Sequence, residues 1–185
     1  GLCSVAISIT TLDPALKRLM EPRAASHQAR LAAMESLSAA GIPVTLLLAP
    51  VIPALNDCDL ESILTQARDA GAFSASYILL RLPLEIRNLF FDWLHQHYPL
   101  RAEHVISLLR QSRGGADNDS RFGHRMRGTG TFADLLAQRF RLSCKRLGLN
   151  VRAPVATRSD LFTPPPRTVK VGKAPLDSQQ IELFG

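Results

Sequence analysis

Cysteines, long apolar runs and short catalytic signatures are scarce in this chain of 185 residues. Its three cysteines, Cys3, Cys58 and Cys144, lie far apart and include no CxxC pair, so they indicate reduced thiols in a cytoplasmic protein, not a disulfide framework. No apolar run approaches the roughly 18 residues of a membrane span. Nucleophile elbows, phosphate loops and zinc-ligand patterns are also missing. These absences argue against a disulfide-stapled protein and a membrane protein.

Charge is distributed unevenly along the chain. Residues 1–100 carry 7 basic and 9 acidic side chains, a net charge of −2, whereas residues 101–185 carry 15 basic and 7 acidic side chains, a net charge of +8. Such asymmetry is typical of a second half that binds a polyanion, most simply nucleic acid. A basic surface that serves solubility alone explains the same composition.

The first 83 residues alternate strand and helix patterns. Apolar runs at 5–9, 44–48 and 76–82 predict three buried strands, and helical patterns near 26–40 and 57–70 separate them. This order predicts an α/β fold with three parallel strands joined by right-handed crossovers. Three strands cannot close a barrel, which takes about eight in the complete (β/α)₈ form. We therefore expect the first strand to present an unpaired edge.

The second half is predicted to be helical and then extended. Helices are expected at 84–97 and 102–111, and a third begins at Thr131 with Asp134 as its capping-box partner. Its predicted buried stripe comprises Phe132, Leu135, Leu136, Phe140 and Leu147. The last 35 residues are rich in proline and basic residues and predict a disordered tail. The predicted units are 1–83, 84–150 and 151–185.

Several short segments together resemble one family. They are SITTLDP at 8–14, MEPRA at 20–24, APVIPALND at 49–57, YILLRLP at 77–83, and the run from SRFG to RGTG at 120–130. Their order and spacing resemble the radical SAM superfamily, and more narrowly its spore photoproduct lyase-like branch, which is related to DNA repair photolyases. The resemblance covers about residues 4–150.

The resemblance implies the C-terminal part of a partial (β/α)₆ barrel, with residues 5–9 as its fourth strand. The family's cluster motif, CxxxCxxC, follows the first strand and is absent from this sequence. The resemblance therefore implies a [4Fe–4S] cluster in the intact protein, with ligands upstream of Gly1. The cysteines present cannot replace them, because such a cluster needs three closely spaced thiolates. We expect this chain to bind no metal and to be inactive alone.

What remains is similar to the S-adenosylmethionine half-site of the family. Ser8 and Thr10 are implied to bond the ribose hydroxyls, and Arg23 to pair with the methionyl carboxylate. The implied apolar wall against the adenine consists of Val51, Ile52 and Pro53. Ala54 stands where the family commonly has glycine. From the residues alone, alternatives remain. Ser8 and Thr10 can instead bond the backbone of their own strand end, and Arg23 can be a surface charge near the start of a helix.

Basic residues and glycines are concentrated between positions 110 and 146, where nine basic side chains accompany three acidic ones. Arginines on glycine-rich backbone suit phosphate contacts, and an aromatic ring among them can stack on a base. The predicted DNA contacts are Arg121, Phe122, Arg125 and Arg127. The alternative is a solvated loop whose arginines pair with Asp117 and Asp119.

The end of the chain resembles the peptide by which bacterial proteins bind the sliding clamp. In this resemblance Gln180 fixes the register, and Ile181, Leu183 and Phe184 are the apolar residues, of which the last two fill a pocket. Two exposed apolar residues at a polar terminus otherwise need an explanation. Folding back onto the protein's own surface is the alternative.

The resemblance implies a radical SAM enzyme that cleaves S-adenosylmethionine reductively to a 5′-deoxyadenosyl radical, in DNA lesion repair. One alternative is a non-catalytic, basic nucleic-acid-binding module tethered to the sliding clamp. Another is a different (β/α) barrel enzyme with a phosphate site, although neither strand-end loop has the glycines that a phosphate cradle prefers.

Overall fold

The computed structural model describes residues 3–117, 124–151, 160 and 162–164. They form an α/β fold in which three parallel strands make one sheet in the order β1-β2-β3, as predicted. The strands are β1 (Val5–Ser8), β2 (Val44–Val51) and β3 (Ser74–Leu79). The helices are α1 (Pro14–Met20), α2 (His27–Ala39), α3 (Leu60–Asp69), α4 (Leu84–His97), α5 (Pro99–Gln111) and α6 (Thr131–Leu147), with a short 3₁₀ helix at Asp57–Asp59. No described helix is long and apolar enough to cross a bilayer.

The first crossover contains a helix that the sequence analysis missed. Asp13 accepts a hydrogen bond from the Ala15 amide (2.7 Å) and Pro14 occupies the first helical position, so α1 begins here. The helix α2 begins as predicted, because the Ser26 hydroxyl accepts from the Ala29 amide at 3.2 Å. Two helices therefore join β1 to β2.

One face of the sheet packs against helices and the other is only half-buried. On the packed face, alternate strand residues form the main core with α2, α3 and α6; they are Val44, Leu46, Leu48, Ala75, Tyr77 and Leu79. The residues between them belong to the other face and are half-buried; they include Ser8, Thr45, Leu47, Ser76 and Ile78. Parallel sheets are normally covered by helices on both faces. The sheet therefore resembles a piece of barrel wall with its helices outside; we call the half-buried face the inner face.

The two edges of the sheet differ. The outer edge of β3 is covered, because the Ala75 amide donates to Asn150 Oδ1 (2.9 Å) and the Leu79 amide donates to the Met126 carbonyl (2.9 Å). Within the described residues β1 pairs only with β2, which confirms the predicted unpaired edge. The backbone groups of Ala6 and Ser8 face this edge, since the amides on either side of them donate toward β2.

A second core connects the sheet to the helical extension. Residues beyond the ends of β2 and β3 pack there against α4 and α5; the buried members include Ile52, Leu55, Leu82, Leu94, Val105 and Leu109. Residues on both sides of position 83 thus share this core. The boundary predicted at that position stays a prediction.

The helix α6 begins and packs differently from the prediction. Its N-cap is Gly130, at φ 87°, and no side chain bonds the cap, so the predicted capping box of Thr131 and Asp134 is wrong. Of the predicted buried stripe, Leu135 is exposed, whereas Phe132, Leu136, Phe140 and Leu147 pack into the main core as predicted. Ala133 and Cys144 are also buried on this side of the helix.

Arg139 ties α6 to α3. Its Nε donates to Glu61 Oε1 at 3.0 Å and its Nη2 donates to Glu61 Oε2 at 2.8 Å, so the two side chains form a bidentate ion pair. Its Nη2 also donates to the Asp57 carbonyl at 3.0 Å. The hydrogen bonds from Arg139 lower the pKa of Glu61 below its ordinary value of 4.5. The pair therefore contributes stability that is present above that value and lost as pH falls through the depressed pKa.

We expect Arg139→Gln to lower the free energy of unfolding at pH 7 and to lower it less in acid, because protonated Glu61 no longer pairs with the guanidinium. Urea unfolding at several pH values between 7 and 3 measures this. Arg18→Gln, an exposed residue of α1, is the control and should show a pH-independent effect near zero. A constant effect of Arg139→Gln across this range would contradict the pairing.

Candidate functional site

The carboxyl ends of β1 and β2 are held together by the side chain of Asn56, which is 2% exposed. Its Oδ1 accepts from the Ile52 amide (2.6 Å), and its Nδ2 donates to the carbonyls of Thr10 (2.8 Å) and Pro50 (3.0 Å). One buried amide thus satisfies three backbone groups on two strand-end turns. Asn56 also precedes the short 3₁₀ helix as its N-cap residue, but its side chain makes no capping bond there.

Asp59 makes a second connection between the same two turns. Its Oδ2 accepts from the Thr11 hydroxyl at 2.6 Å and from the Leu12 amide at 2.9 Å. Asp59 itself lies in the short 3₁₀ helix before α3.

A third group of polar contacts lies at the end of β1. The Thr10 hydroxyl lies 2.9 Å from Glu21 Oε1 and 3.2 Å from the Ala49 carbonyl, so its single proton serves one of two internal acceptors. Arg30 on α2 donates to the Ser8 carbonyl (2.8 Å) and pairs with Glu21 (2.7 Å). The adjoining cavity holds only about 10 Å³, enough for one water molecule.

The predicted ribose and carboxylate residues are placed as follows. Ser8 lies on the inner face, and its hydroxyl oxygen accepts from Arg30 at 3.3 Å. Thr10 is buried and internally bonded. Arg23 is exposed in the turn between α1 and α2. The arginine beside Ser8 is therefore Arg30 on α2, which was not among the predicted site residues.

The predicted adenine wall is split between two cores. Val51 is buried with the helix-covered face of the sheet, whereas Ile52 packs against α4 and α5. Val51 and Ile52 therefore do not form one surface with Pro53, as had been expected. Pro53 is itself buried. What this turn leaves for a ligand is backbone. A role for the turn in adenine binding stays a prediction.

Two further features of the strand ends point to function. Ala54 adopts φ 56°, a left-handed conformation in which glycine carries no penalty and alanine costs about 1–2 kcal/mol. This conformation explains why glycine suits the position. Arg81, two residues beyond β3, has a buried Nε that finds no hydrogen-bond partner among the described residues. Arg81 belongs to the segment at 77–83 that contributes to the family resemblance, but no role was predicted for it.

Several arginines of the basic segment serve the fold. Arg113 is 3% exposed and donates to four backbone carbonyls, including those of Leu79 (3.1 Å) and Leu80 (2.8 Å). Arg110 and Arg87 both pair with Asp117, at 2.6 and 3.2 Å. This part of the segment follows the alternative of internal pairing. Their geometry leaves fewer cations for phosphate contacts than the composition suggested.

The predicted nucleic-acid and clamp residues are only partly described. Arg125 is half-buried, and Arg127 is exposed with its Cζ 4.2 Å from the centre of the Tyr77 ring. The other two predicted DNA contacts and all four clamp-binding residues lie outside the described residues; they are Arg121, Phe122, Gln180, Ile181, Leu183 and Phe184. Those assignments stay predictions, as does the tail from 151 to 185.

The described residues do not fit an iron–sulfur cluster or another resident metal. They include no group of three Cys, His, Asp or Glu side chains arranged to hold an ion. Cys3 and Cys58 are exposed, and Cys144 is buried. Burial raises the pKa of the Cys144 thiol to about 11, so it is protonated at neutral pH and unsuited to ligation.

Comparison with known proteins agrees with the resemblance in its coarse form. The model of the Radical SAM superfamily matches residues 1–67. An uncharacterised protein of Mycobacterium bovis and two of Mycobacterium tuberculosis are each 37% identical to this chain over 110 residues, which is 58% of this chain. The chain spans about a third of the length of these relatives, since the match covers 32% of each. No solved structure matches the chain.

We expect Asn56→Ala to lower the free energy of unfolding by about 2–3 kcal/mol, because it leaves buried backbone groups of two turns without partners. Urea unfolding measures the loss. Asn88→Ala on α4 is the matched control, since that side chain is exposed and bonds only Arg87. Equal stability of the two variants would contradict the structural role of Asn56.

Proposed function

We propose that this chain is part of a radical SAM-type enzyme, which cleaves S-adenosylmethionine reductively, and that its three strands hold the adenosyl group. The observation that carries the proposal is that the superfamily match over residues 1–67 contains β1 and β2, two strands of a parallel sheet whose inner face is half-buried. Parallel α/β proteins bind ligands beyond the carboxyl ends of their strands. That is where Asn56 and Asp59 hold the two turns.

The residues at the end of β1 divide the work between binding and positioning. The Ser8 oxygen accepts from Arg30, so its own proton remains available for a ribose oxygen. The Thr10 hydroxyl donates its proton to an acceptor inside the protein, so it helps to position the strand end and not to bind the ligand. Arg30 fixes Ser8 from α2. S-adenosylmethionine, when bound, supplies the adenosyl group on which chemistry of this class depends.

We assign the methionyl carboxylate to Arg81 in preference to Arg23. Arg81 follows β3 at the carboxyl edge of the sheet, and its buried Nε lacks a partner that a carboxylate would supply. Ser8 ends β1 and Arg81 follows β3, so both lie toward the carboxyl edge of the same sheet, with β2 between their strands. Arg23 is exposed in a turn, and nothing at that position favours a ligand.

The finer part of the proposal is a cytoplasmic enzyme that acts on DNA lesions, in the spore photoproduct lyase-like branch, with the clamp-binding peptide at its end. Its support is the motif resemblance and the net charge of +8 in residues 101–185. Ligands for the iron–sulfur cluster are not among the described residues, so the roles assigned to these residues concern the adenosyl side of the reaction alone. The non-catalytic module is the competing proposal, and it requires no adenosyl ligand.

We expect the natural full-length protein to bind S-adenosylhomocysteine, which keeps the adenosyl and carboxylate groups, in isothermal titration calorimetry. Arg81→Gln should weaken this binding about tenfold or more, because it removes a charge-assisted bond, but should leave the binding of adenosine unchanged. Ser8→Ala should weaken both ligands severalfold. Arg23→Gln is the matched control.

Three results would count against the proposal in different ways. Failure of the natural protein to bind either ligand favours the non-catalytic module. A loss in Arg23→Gln without a loss in Arg81→Gln returns the carboxylate to Arg23. Binding of both ligands that none of these substitutions affects would place the adenosyl group elsewhere.

A further inference from the structure

A groove of about 440 Å³ lies on the helix-covered side of β3, away from the inner face. Its apolar lining comes mainly from Tyr77, Phe140 and Leu149, and Arg127, Arg141 and Lys145 supply its charge. The volume is within the range of small-molecule sites, about 300–1,000 Å³. Neither the fold nor the proposed adenosyl site uses this groove.

The charge of the groove has one sign. Arg141 and Lys145 are exposed and four residues apart on α6, so they lie on the same face of that helix. Arg127 lies over the Tyr77 ring, with its Cζ 4.2 Å from the ring centre. Among the described residues that line the groove, none carries a carboxylate. Three cations without an acid between them suit an anion.

A buried hydroxyl in the lining lacks a partner. Tyr77 is 1% exposed, and its hydroxyl makes no hydrogen bond with the described residues. Leaving such a group unpaired costs about 1–3 kcal/mol, so it needs an explanation. The hydroxyl is itself closed to solvent, so the groove offers a ligand the ring of Tyr77 and not its hydroxyl.

One wall of the groove is built rigidly. Asn150 has φ 61°, and its side-chain amide both accepts from the Ala75 amide (2.9 Å) and donates to the Ala75 carbonyl (3.0 Å). Its own amide donates to the Phe73 carbonyl at 3.2 Å. The Tyr77 ring packs against Phe140 with ring centres 4.8 Å apart. The lining is thus held in place before any ligand arrives.

We propose that this groove binds one nucleotide unit, with its phosphate on Arg141 and Lys145 and its base against the Arg127 guanidinium. Phosphates pair with arginine and lysine, and bases stack on guanidinium planes and aromatic rings. The unit comes either from a single-stranded nucleic acid or from a free nucleotide. The choice of ligand class rests on the nucleic-acid part of the proposed function, but the site is independent of the adenosyl site.

The test uses a fluorescein-labelled single-stranded DNA of twelve nucleotides and the natural full-length protein, with anisotropy measured over a salt series. We expect the double variant Arg141→Gln/Lys145→Gln to bind about tenfold more weakly at 0.1 M salt. Its plot of log affinity against log salt should be shallower by about 0.7, because one phosphate contact is lost. The charge-matched control is Arg101→Gln/Arg146→Gln, two exposed cations outside the groove.

The outcomes separate the ligand sources and the two proposals. A nucleoside monophosphate that competes for the groove and depends on the same two cations identifies a free nucleotide, and one that does not compete identifies the strand. Equal losses of DNA affinity in the two double variants, or no DNA binding by the natural protein, would overturn the proposal that the groove binds a nucleotide. S-adenosylhomocysteine binding, measured in parallel, should be the same in all variants. If the groove proposal fails, the adenosyl-site proposal is therefore unaffected, and the groove proposal is likewise unaffected if the adenosyl-site proposal fails.

Discussion

The amide of Asn56 is the interaction on which the candidate site depends. It bonds backbone groups of residues that end two neighbouring strands, and it does so in a place closed to water. Buried backbone groups must find partners, and these turns have left the sheet ladder that would have supplied them. Asp59 adds a charged acceptor to the same junction. The strand ends are therefore held by side chains from the loop that follows β2.

The sheet has a covered side and an inner face, and this asymmetry organises the rest of the molecule. Helices α2, α3 and α6 supply the covered side, and Arg139 locks two of them together. The inner face keeps small and hydroxyl-bearing residues half-buried, as Ser8, Thr45 and Ser76 show. The edge of β3 is covered by Asn150, whereas the edge of β1 is contacted at Ser8 by Arg30. The inner face is therefore the face of the sheet itself that is left open to a ligand.

Local patterns predicted much of this fold. The helices α2 and α3 lie within the ranges predicted for them, and α4 spans the residues expected of it. Prediction failed where tertiary partners decide. Leu135 of α6 is exposed although it was predicted to be buried, and α1 was not predicted because it is only about two turns long.

The candidate site was harder to predict than the fold. Residue types and a family resemblance predicted a site at these turns, but they did not predict the contacts that the side chains make there. Val51 and Ile52 look alike in sequence, yet they enter different cores, since neighbouring residues of an extended strand face opposite ways. The part played by Arg30 depends on α2 crossing the end of β1, which no spacing within the helix reveals.

The most direct test of the account is amide hydrogen exchange of the natural full-length protein with and without S-adenosylhomocysteine. The account predicts slower exchange on ligand binding at residues 8–12 and 49–56, with no change at 137–150. Slower exchange confined to 137–150, or no change at either strand end, would contradict the claim that these turns form the wall of an adenosyl site.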